Sequence, residues 1–388
     1  MNLVVDENIS TTFQTTRKQT EKLCKPLKLE DYVPQPELFV SPPKWHLAHT
    51  TWFFEEMILK KYQADYKEFH PDFSFLFNSY YQSIGERTQR ADRGSMTRPS
   101  VDEVYAYRKY VDEHMISLLE ENRDEKVCEL VTLGLNHEEQ HQELLITDLK
   151  YTLSLNPIYP VYDEGFNLLK QKNRSNSWRK VEAGIYQIGH VGEGFCFDNE
   201  LGLHRVYVDD FEIADHLVTN GEFIEFIETG AYDRFDLWLD EGWTWVNENE
   251  VKAPIYWHKI EGEWHRFSLE GLIKIDRDEI LGHVSFYEAQ AFATWKGMRL
   301  ASEFQWEIAS DQFQWGDRWE WTYSAYHPYP NFKTAKGALG EYNGKFMINQ
   351  MVLRGASSAT AKGHSRKTYR NFFHPHYQWQ VTGIRLVK

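Results

Sequence analysis

Two histidines four residues apart, His137 and His141, are the residues of this sequence best spaced to do chemistry. On an α-helix, positions i and i+4 share one face about 6 Å apart along the axis, so two imidazoles there can grip a single metal ion. They belong to the run His137-Glu138-Glu139-Gln140-His141-Gln142-Glu143, in which Gln140 projects to nearly the same side. The plain alternative is a solvated helix face that carries two histidines. A zinc-protease reading is set aside, because no glutamate-flanked third ligand follows downstream in the usual arrangement. A third imidazole is offered instead by Trp45-His46-Leu47-Ala48-His49-Thr50. His46 and His49 are three apart and either can face a helical core, with His46 read first as a hydrogen-bonded core histidine. Three neutral imidazoles leave positions open on an octahedral ion, which favours a redox-active ion such as Fe(II), with zinc as the chemical competitor.

Positioning such a group takes helices that face one another, and the first half of the chain supplies them. From about residue 11 to 155 glycine is sparse, and apolar residues recur at three- and four-residue spacing, as in Trp52, Phe53, Met57 and Leu59. Ser41-Pro42-Pro43 and Arg98-Pro99-Ser100 mark helix starts, with proline in the first turn and serine as cap. The pattern predicts four helices, roughly 10–28, 43–62, 100–122 and 125–153, around one apolar core, and a bundle interior is a natural metal cage. Residues 156–179 read as a connection, with Pro157, Pro160 and a polar run from Gln171 to Ser177. Beyond Val181 the texture changes. Short alternating runs such as Val206-Tyr207-Val208 and Phe211-Glu212-Ile213 predict strands, and only 220–228 and 287–296 look helical. The expectation is a multidomain chain: an all-α four-helix bundle over 1–155, a linker over 156–179, and a loop-rich α+β domain over 180–388.

Composition narrows the classes of function. The 388 residues hold 43 basic and 58 acidic side chains, a net charge of −15, which disfavours nucleic acid as a partner. Three scattered cysteines exclude a disulfide scaffold and a cysteine-rich zinc site, and suit a reducing compartment. No apolar run is long enough to span a membrane and the first twenty residues do not read as a signal peptide, so a cytoplasmic location is expected.

The motifs Trp45 to Glu56 (WHLAHTTWFFEE) and His137 to Glu143 (HEEQHQE) resemble the DinB-like domain of the sulfoxide synthases of ergothioneine biosynthesis, the EgtB family. The second half resembles the formylglycine-generating-enzyme-like (C-type-lectin-like) domain fused to it. The carrying segments are Val218 to Phe223, Val284 to Ala289, Arg299 to Glu307, Trp319 to Thr322, Arg354 to Ser357 and Thr382 to Leu386, in the family's order. Formylglycine-generating enzymes hold copper with a cysteine pair. Beyond Cys128 this chain has only Cys196, so the second domain is read as a substrate platform.

The resemblance implies a definite site. The iron ligands map onto His49, His137 and His141, with Fe(2+) as cofactor. The reaction implied is O2-dependent C–S bond formation and sulfoxidation between N-alpha-trimethylhistidine (hercynine) and a cysteine thiol. Phe77-Asn78-Ser79-Tyr80-Tyr81 is similar to the subgroup that uses free cysteine, in which a tyrosine pair reaches the iron site, so Tyr80 and Tyr81 are the candidate catalytic phenols. Gln140 resembles the glutamine that bonds the imidazole side of the substrate. Arg90 and Arg93, then Arg87, are candidates to grip the cysteine carboxylate. Asn371 is placed to hold a carboxylate, and Phe372 and Phe373 are faces for the quaternary ammonium. Where users of gamma-glutamylcysteine carry an Asp and an Arg, this chain has Phe372 or Phe373 and Tyr377 or Gln378, which favours free cysteine. Ovothiol-type and selenium-inserting relatives are the alternatives within the same chemistry, and a metal-free binding module is the alternative outside it.

Overall fold

The computed structural model describes residues 8–79, 85, 87–121, 124–334 and 343–388. They divide into two compact units, one ending at Asn156 and taking in Gly192–Phe195, the other beginning at Pro157.

The first unit is built on four long helices: α1 Ile9–Cys24, α2 Pro43–Phe54, α3 Val101–Glu121 and α4 Glu125–Ser154. Helix α1 stops earlier than its periodicity predicts, because Pro26 cannot continue it. Helix α2 packs on both α3 and α4, and all twelve of its residues are buried. Its cap differs from expectation. Pro42 takes the N-cap position, while the Ser41 hydroxyl accepts from Arg93 instead. The other serine caps as expected: Glu103 N–H donates to Ser100 Oγ, and Ser100 N–H to the Glu103 carboxylate. Beyond Phe54 the helix runs through a π turn, Glu55–Leu59. The Glu55 carboxylate points inward there and accepts from Tyr66 Oη (2.7 Å), Tyr107 Oη (2.6 Å) and the Phe69 N–H (3.0 Å).

Helix α4 has 30 residues, about 45 Å at 1.5 Å per residue. Its one interior glycine, Gly134, lies against α2. A Cβ there would come within 2.6 Å of Phe54 Cε1 and 2.9 Å of Phe53 Cε1. Alanine gains about 1 kcal/mol of helix propensity over glycine, while overpacking of this kind costs about 1–3 kcal/mol. Gly134→Ala is therefore expected to destabilise the first unit, read as a lower urea midpoint, and a raised midpoint would refute the close crossing.

The second unit carries four small sheets, with thirteen strands numbered in chain order. The first has the order β1 (Trp178–Val181), β4 (Phe211–Ala214), β13 (Leu386–Val387), β8 (Arg299–Leu300). The second runs β11 (Asn371–Phe373), β10 (Met351–Gly355), β9 (Trp319–Ala325), β12 (Thr382–Gly383). The pair β2 (Gly184–Ile188) and β3 (His204–Val208) and the meander β5 (Trp257–Ile260), β6 (Glu263–Ser268), β7 (Gly271–Lys274) complete it. Four helices join them: α5 Asn220–Glu228, α6 Asp240–Glu248, α7 Phe286–Trp295 and α8 Glu303–Ala309. Capping boxes start three of these: Thr219 with Glu222, Ser285 with Glu288, and Ser302 with Gln305. Helices α6 and α8 were not expected from the sequence. The segment between Pro157 and β1 contributes buried Leu168 and Leu169 to this unit, and the Tyr162 N–H donates to Leu269 O at 2.9 Å.

Candidate metal centre

Helix α2 brings His49, and helix α4 brings His137 and His141, to one buried point of the first unit. One nitrogen from each lies within 4.8 Å of the other two. The ring centroids form a near-equilateral triangle with sides of 5.0, 4.9 and 4.6 Å, and the three rings are mutually steep, at 76°, 62° and 71°. Such a triangle can hold one ion on a single face and leave the opposite side open. Of the two histidines of α2 that can face the core, His49 joins the group and His46 stands behind it.

The His49 ring is fixed on every side. It is sandwiched between Trp45 (4.4 Å, 13°) and Trp52 (5.6 Å, 16°), which precede and follow it on α2. Its Nδ1 lies 2.7 Å from Phe77 O. A carbonyl only accepts, so Nδ1 carries the hydrogen and Nε2 keeps its lone pair. That Nε2 is buried and takes no hydrogen bond from the described residues, which is costly for a polar atom and fits an atom meant for a metal ion.

Electrostatics hold the group neutral. Burial pushes the His49 imidazolium well below its ordinary range, and the neighbouring His137 adds to this against the Phe77 carbonyl. Burial likewise takes His137 down to about 4, although Glu138 opposes it. His141 is pushed well down by burial, then by His137, His49 and His46. Three imidazoles that reject protons at neutral pH are three lone pairs available to an ion.

The run's letters, His-Glu-x-x-His, are also those of zinc proteases, where the glutamate faces the metal as a base. Here Glu138 points elsewhere. It is fully buried, with its carboxylate accepting from Arg17 Nη1 (2.8 Å), Thr20 Oγ1 (2.6 Å) and Arg108 Nη2. A carboxylate so engaged is a structural anchor, a role for which its place in the sequence offers no signal.

The other sequence candidates fall in different places. Gln140 is half-buried on α4 between the two histidines. Arg93 is buried with its guanidinium 3.4 Å over the Trp45 ring, bonding Ser41 Oγ (3.0 Å) and Ser79 Oγ (2.8 Å). It thus extends the stack of Trp45, His49 and Trp52 by one cation. Arg87 donates to Ser79 O at 2.7 Å, and the exposed Arg90 to Phe39 O. Tyr80 and Tyr81 lie outside the described residues. Asn371, Phe372 and Phe373 form β11 of the second unit, where Phe372 stacks on Tyr326 at 4.1 Å. All three cysteines are buried thiols outside any disulfide, and burial pushes the Cys196 thiol up to about 11. A lone buried thiol of this kind offers no copper pair in the second unit.

The class this defines is a two-domain protein: a helical unit carrying a buried three-histidine group, followed by an α+β unit. Residues 12–145 match the DinB superfamily, and residues 166–317 match the sulfatase-modifying factor enzyme 1-like domain. In that order the two domains give the chain an EgtB-like architecture. It is 27% identical over 402 residues to the hercynine oxygenase of Mycolicibacterium smegmatis, covering 90% of this chain and 91% of that protein. It is 29% identical over 245 residues to the hercynine oxygenase of Mycolicibacterium thermoresistibile, covering 50% of this chain and 54% of that one. It is also 27% identical over 159 residues to the formylglycine-generating enzyme of Bos taurus, covering 36% and 42%.

Proposed function

We propose that this protein is a non-haem iron(II), O2-dependent sulfoxide synthase that joins the sulfur of cysteine to the imidazole carbon of hercynine. The observation that carries the reading is the buried triangle of neutral imidazoles, His49, His137 and His141, in a chain similar over 90% of its length to the hercynine oxygenase of Mycolicibacterium smegmatis. The balance is simple. The hercynine C–H and the cysteine S–H are replaced by one C–S bond, one oxygen atom ends on sulfur, and the other leaves as water with both hydrogens. The four electrons reduce one O2. His49, His137 and His141 would hold the iron(II), which would supply O2 activation and a common point of attachment for the reacting sulfur and imidazole.

The chain's own residues place and protonate. Gln140 bonds the hercynine imidazole from between the two histidines of α4. Arg90 and Arg93, with Arg87 behind them, supply the guanidinium for the cysteine carboxylate. In the second unit, taken by itself, Asn371 is the candidate for a carboxylate and Phe372 and Phe373 are the candidates for a quaternary ammonium. Tyr80 and Tyr81 are the catalytic pair, one of whose phenols supplies a proton or an electron during the coupling. Phe372 and Phe373 carry no charge to receive a gamma-glutamyl group, and Gln378 spends its amide on Glu288 Oε2 at 2.7 Å, which supports free cysteine as donor.

The test is an aerobic assay with Fe(II) and hercynine, offered cysteine or gamma-glutamylcysteine in parallel, with product mass and oxygen uptake read together. Cysteine is expected to give the sulfoxide conjugate, with one O2 consumed per product. Preference for gamma-glutamylcysteine would overturn the donor assignment. Equal turnover with histidine in place of hercynine would move the protein to the ovothiol type. Failure of an anaerobic Fe(II) titration to reach one ion per chain would remove the reading altogether.

A further inference from the structure

Behind the three-histidine group lies a second chain of polar contacts. Asp148 is buried on α4, seven residues after His141 and so on the same face two turns on. Its Oδ2 accepts from the Ser41 N–H at 2.8 Å, at the entrance to α2, and lies 3.1 Å from His46 Nε2. His46 is buried, and its Nδ1 lies 2.9 Å from His141 Nδ1.

With Asp148 as the carboxylate and His46 as the neutral imidazole, these contacts have one self-consistent direction. An ionised carboxylate only accepts, so His46 Nε2 carries a hydrogen. A neutral imidazole has a single N–H, so His46 Nδ1 is an acceptor. His141 Nδ1, facing it, then has to donate, which leaves the lone pair of His141 on Nε2. The order Asp148, His46, His141 thus dictates which nitrogen of His141 is free to bind a metal. His49 reaches the same state by a different device, the Phe77 carbonyl.

We propose that His46 and Asp148 are positioning residues for the metal centre: they fix the tautomer and ring orientation of His141 so that Nε2 is the ligand atom. The inference rests on the metal-site reading above. It adds that an imidazole backed by a carboxylate stands where metal-bound histidines usually bond a carboxylate or carbonyl directly. A donor N–H polarised in this way makes the opposite nitrogen a stronger ligand, and the Ser41 N–H keeps the carboxylate from swinging away.

Two measurements test it, neither of which needs turnover. In the metal-free wild-type protein labelled with 15N-histidine, side-chain NMR at neutral pH is expected to show His141 as the Nδ1–H tautomer and His46 as the Nε2–H tautomer. His141 found with its hydrogen on Nε2 would overturn the proposal. In anaerobic Co(II) titration, His46→Phe is expected to weaken binding about 10–100-fold and to alter the visible ligand-field spectrum. His46→Asn, whose Oδ1 can accept from His141, is expected to recover most of that loss. Wild-type affinity and spectrum in His46→Phe, with only its melting temperature lowered, would reduce the chain of contacts to a tie between α2 and α4 and sink the proposal. A wild-type protein that binds neither Co(II) nor Fe(II) would instead sink the metal-site reading on which it rests.

Discussion

Alanine at His137 is expected to abolish Fe(II) and Co(II) binding and, with it, oxygen uptake, while leaving the first unit folded. The argument is one of number. The group has three imidazoles, and losing one leaves a pair on different helices that no longer encloses a face of the ion. Loss of an outer partner costs about 10–100-fold in metal affinity, so loss of a direct donor costs more than that. The fold is spared for a separate reason. The ring that is lost is a buried neutral imidazole, which gains less by leaving water than an apolar ring of its size. Removing a desolvated polar ring offsets part of the cavity it leaves, and a stability change within about 1 kcal/mol is expected. Anaerobic titration gives the stoichiometry, and urea unfolding of the metal-free protein gives the stability. Retained binding of one ion per chain at wild-type affinity would show that His137 is not a ligand.

Much of this site is legible in the sequence, and the part that is not has an identifiable cause. The spacing of His137 and His141 places both on one face of α4, and the same periodicity locates all four long helices. The choice between His46 and His49 is open in the sequence, because residues three apart share a helix face. What separates them is partners from elsewhere: Asp148 and His141 for the one, Phe77 and two tryptophans for the other. Periodicity names a face and is silent about what meets it. The same limit hides the roles of Glu138, Arg17 and Arg108, which as charges read like surface residues. In the second unit, α6 is missed because Trp243-Thr244-Trp245 alternates like a strand, although Gly242 and Val246, four apart, are the residues it buries. Helix α8 has seven residues, too few to show a period, yet Ser302 and Gln305 spell its start.

Glu138→Ala is expected to produce the opposite outcome from its neighbour: a weakened fold, with loss of metal binding only as a consequence. Glu138 ties together all four helices. Its two oxygens take Arg17 and Thr20 of α1 and Arg108 of α3. Arg17 continues to Asp112 Oδ1 (2.7 Å) of α3 and Thr51 Oγ1 (2.8 Å) of α2, and Arg108 continues to Arg17 O (2.8 Å) and Thr50 Oγ1 (3.3 Å). Burial alone would raise the Glu138 carboxyl, but Arg108 and Arg17 outweigh it and hold it down at about 2, so the anion is the form the fold uses. Removing it leaves two buried guanidinium groups short of their shared counter-charge, a loss of about 3–5 kcal/mol. Against a total of about 5–15 kcal/mol for a typical domain, that is a large fraction. Urea unfolding of metal-free Glu138→Ala should show it as a lowered midpoint, with Glu138→Gln, which keeps the shape and loses the charge, falling between the variant and wild type. A loss below about 1 kcal/mol would mean that the network does not set the register of α4. The two adjacent substitutions then separate cause from support: at His137 the ion is lost from an intact bundle, and at Glu138 the bundle loosens around imidazoles that are all still present.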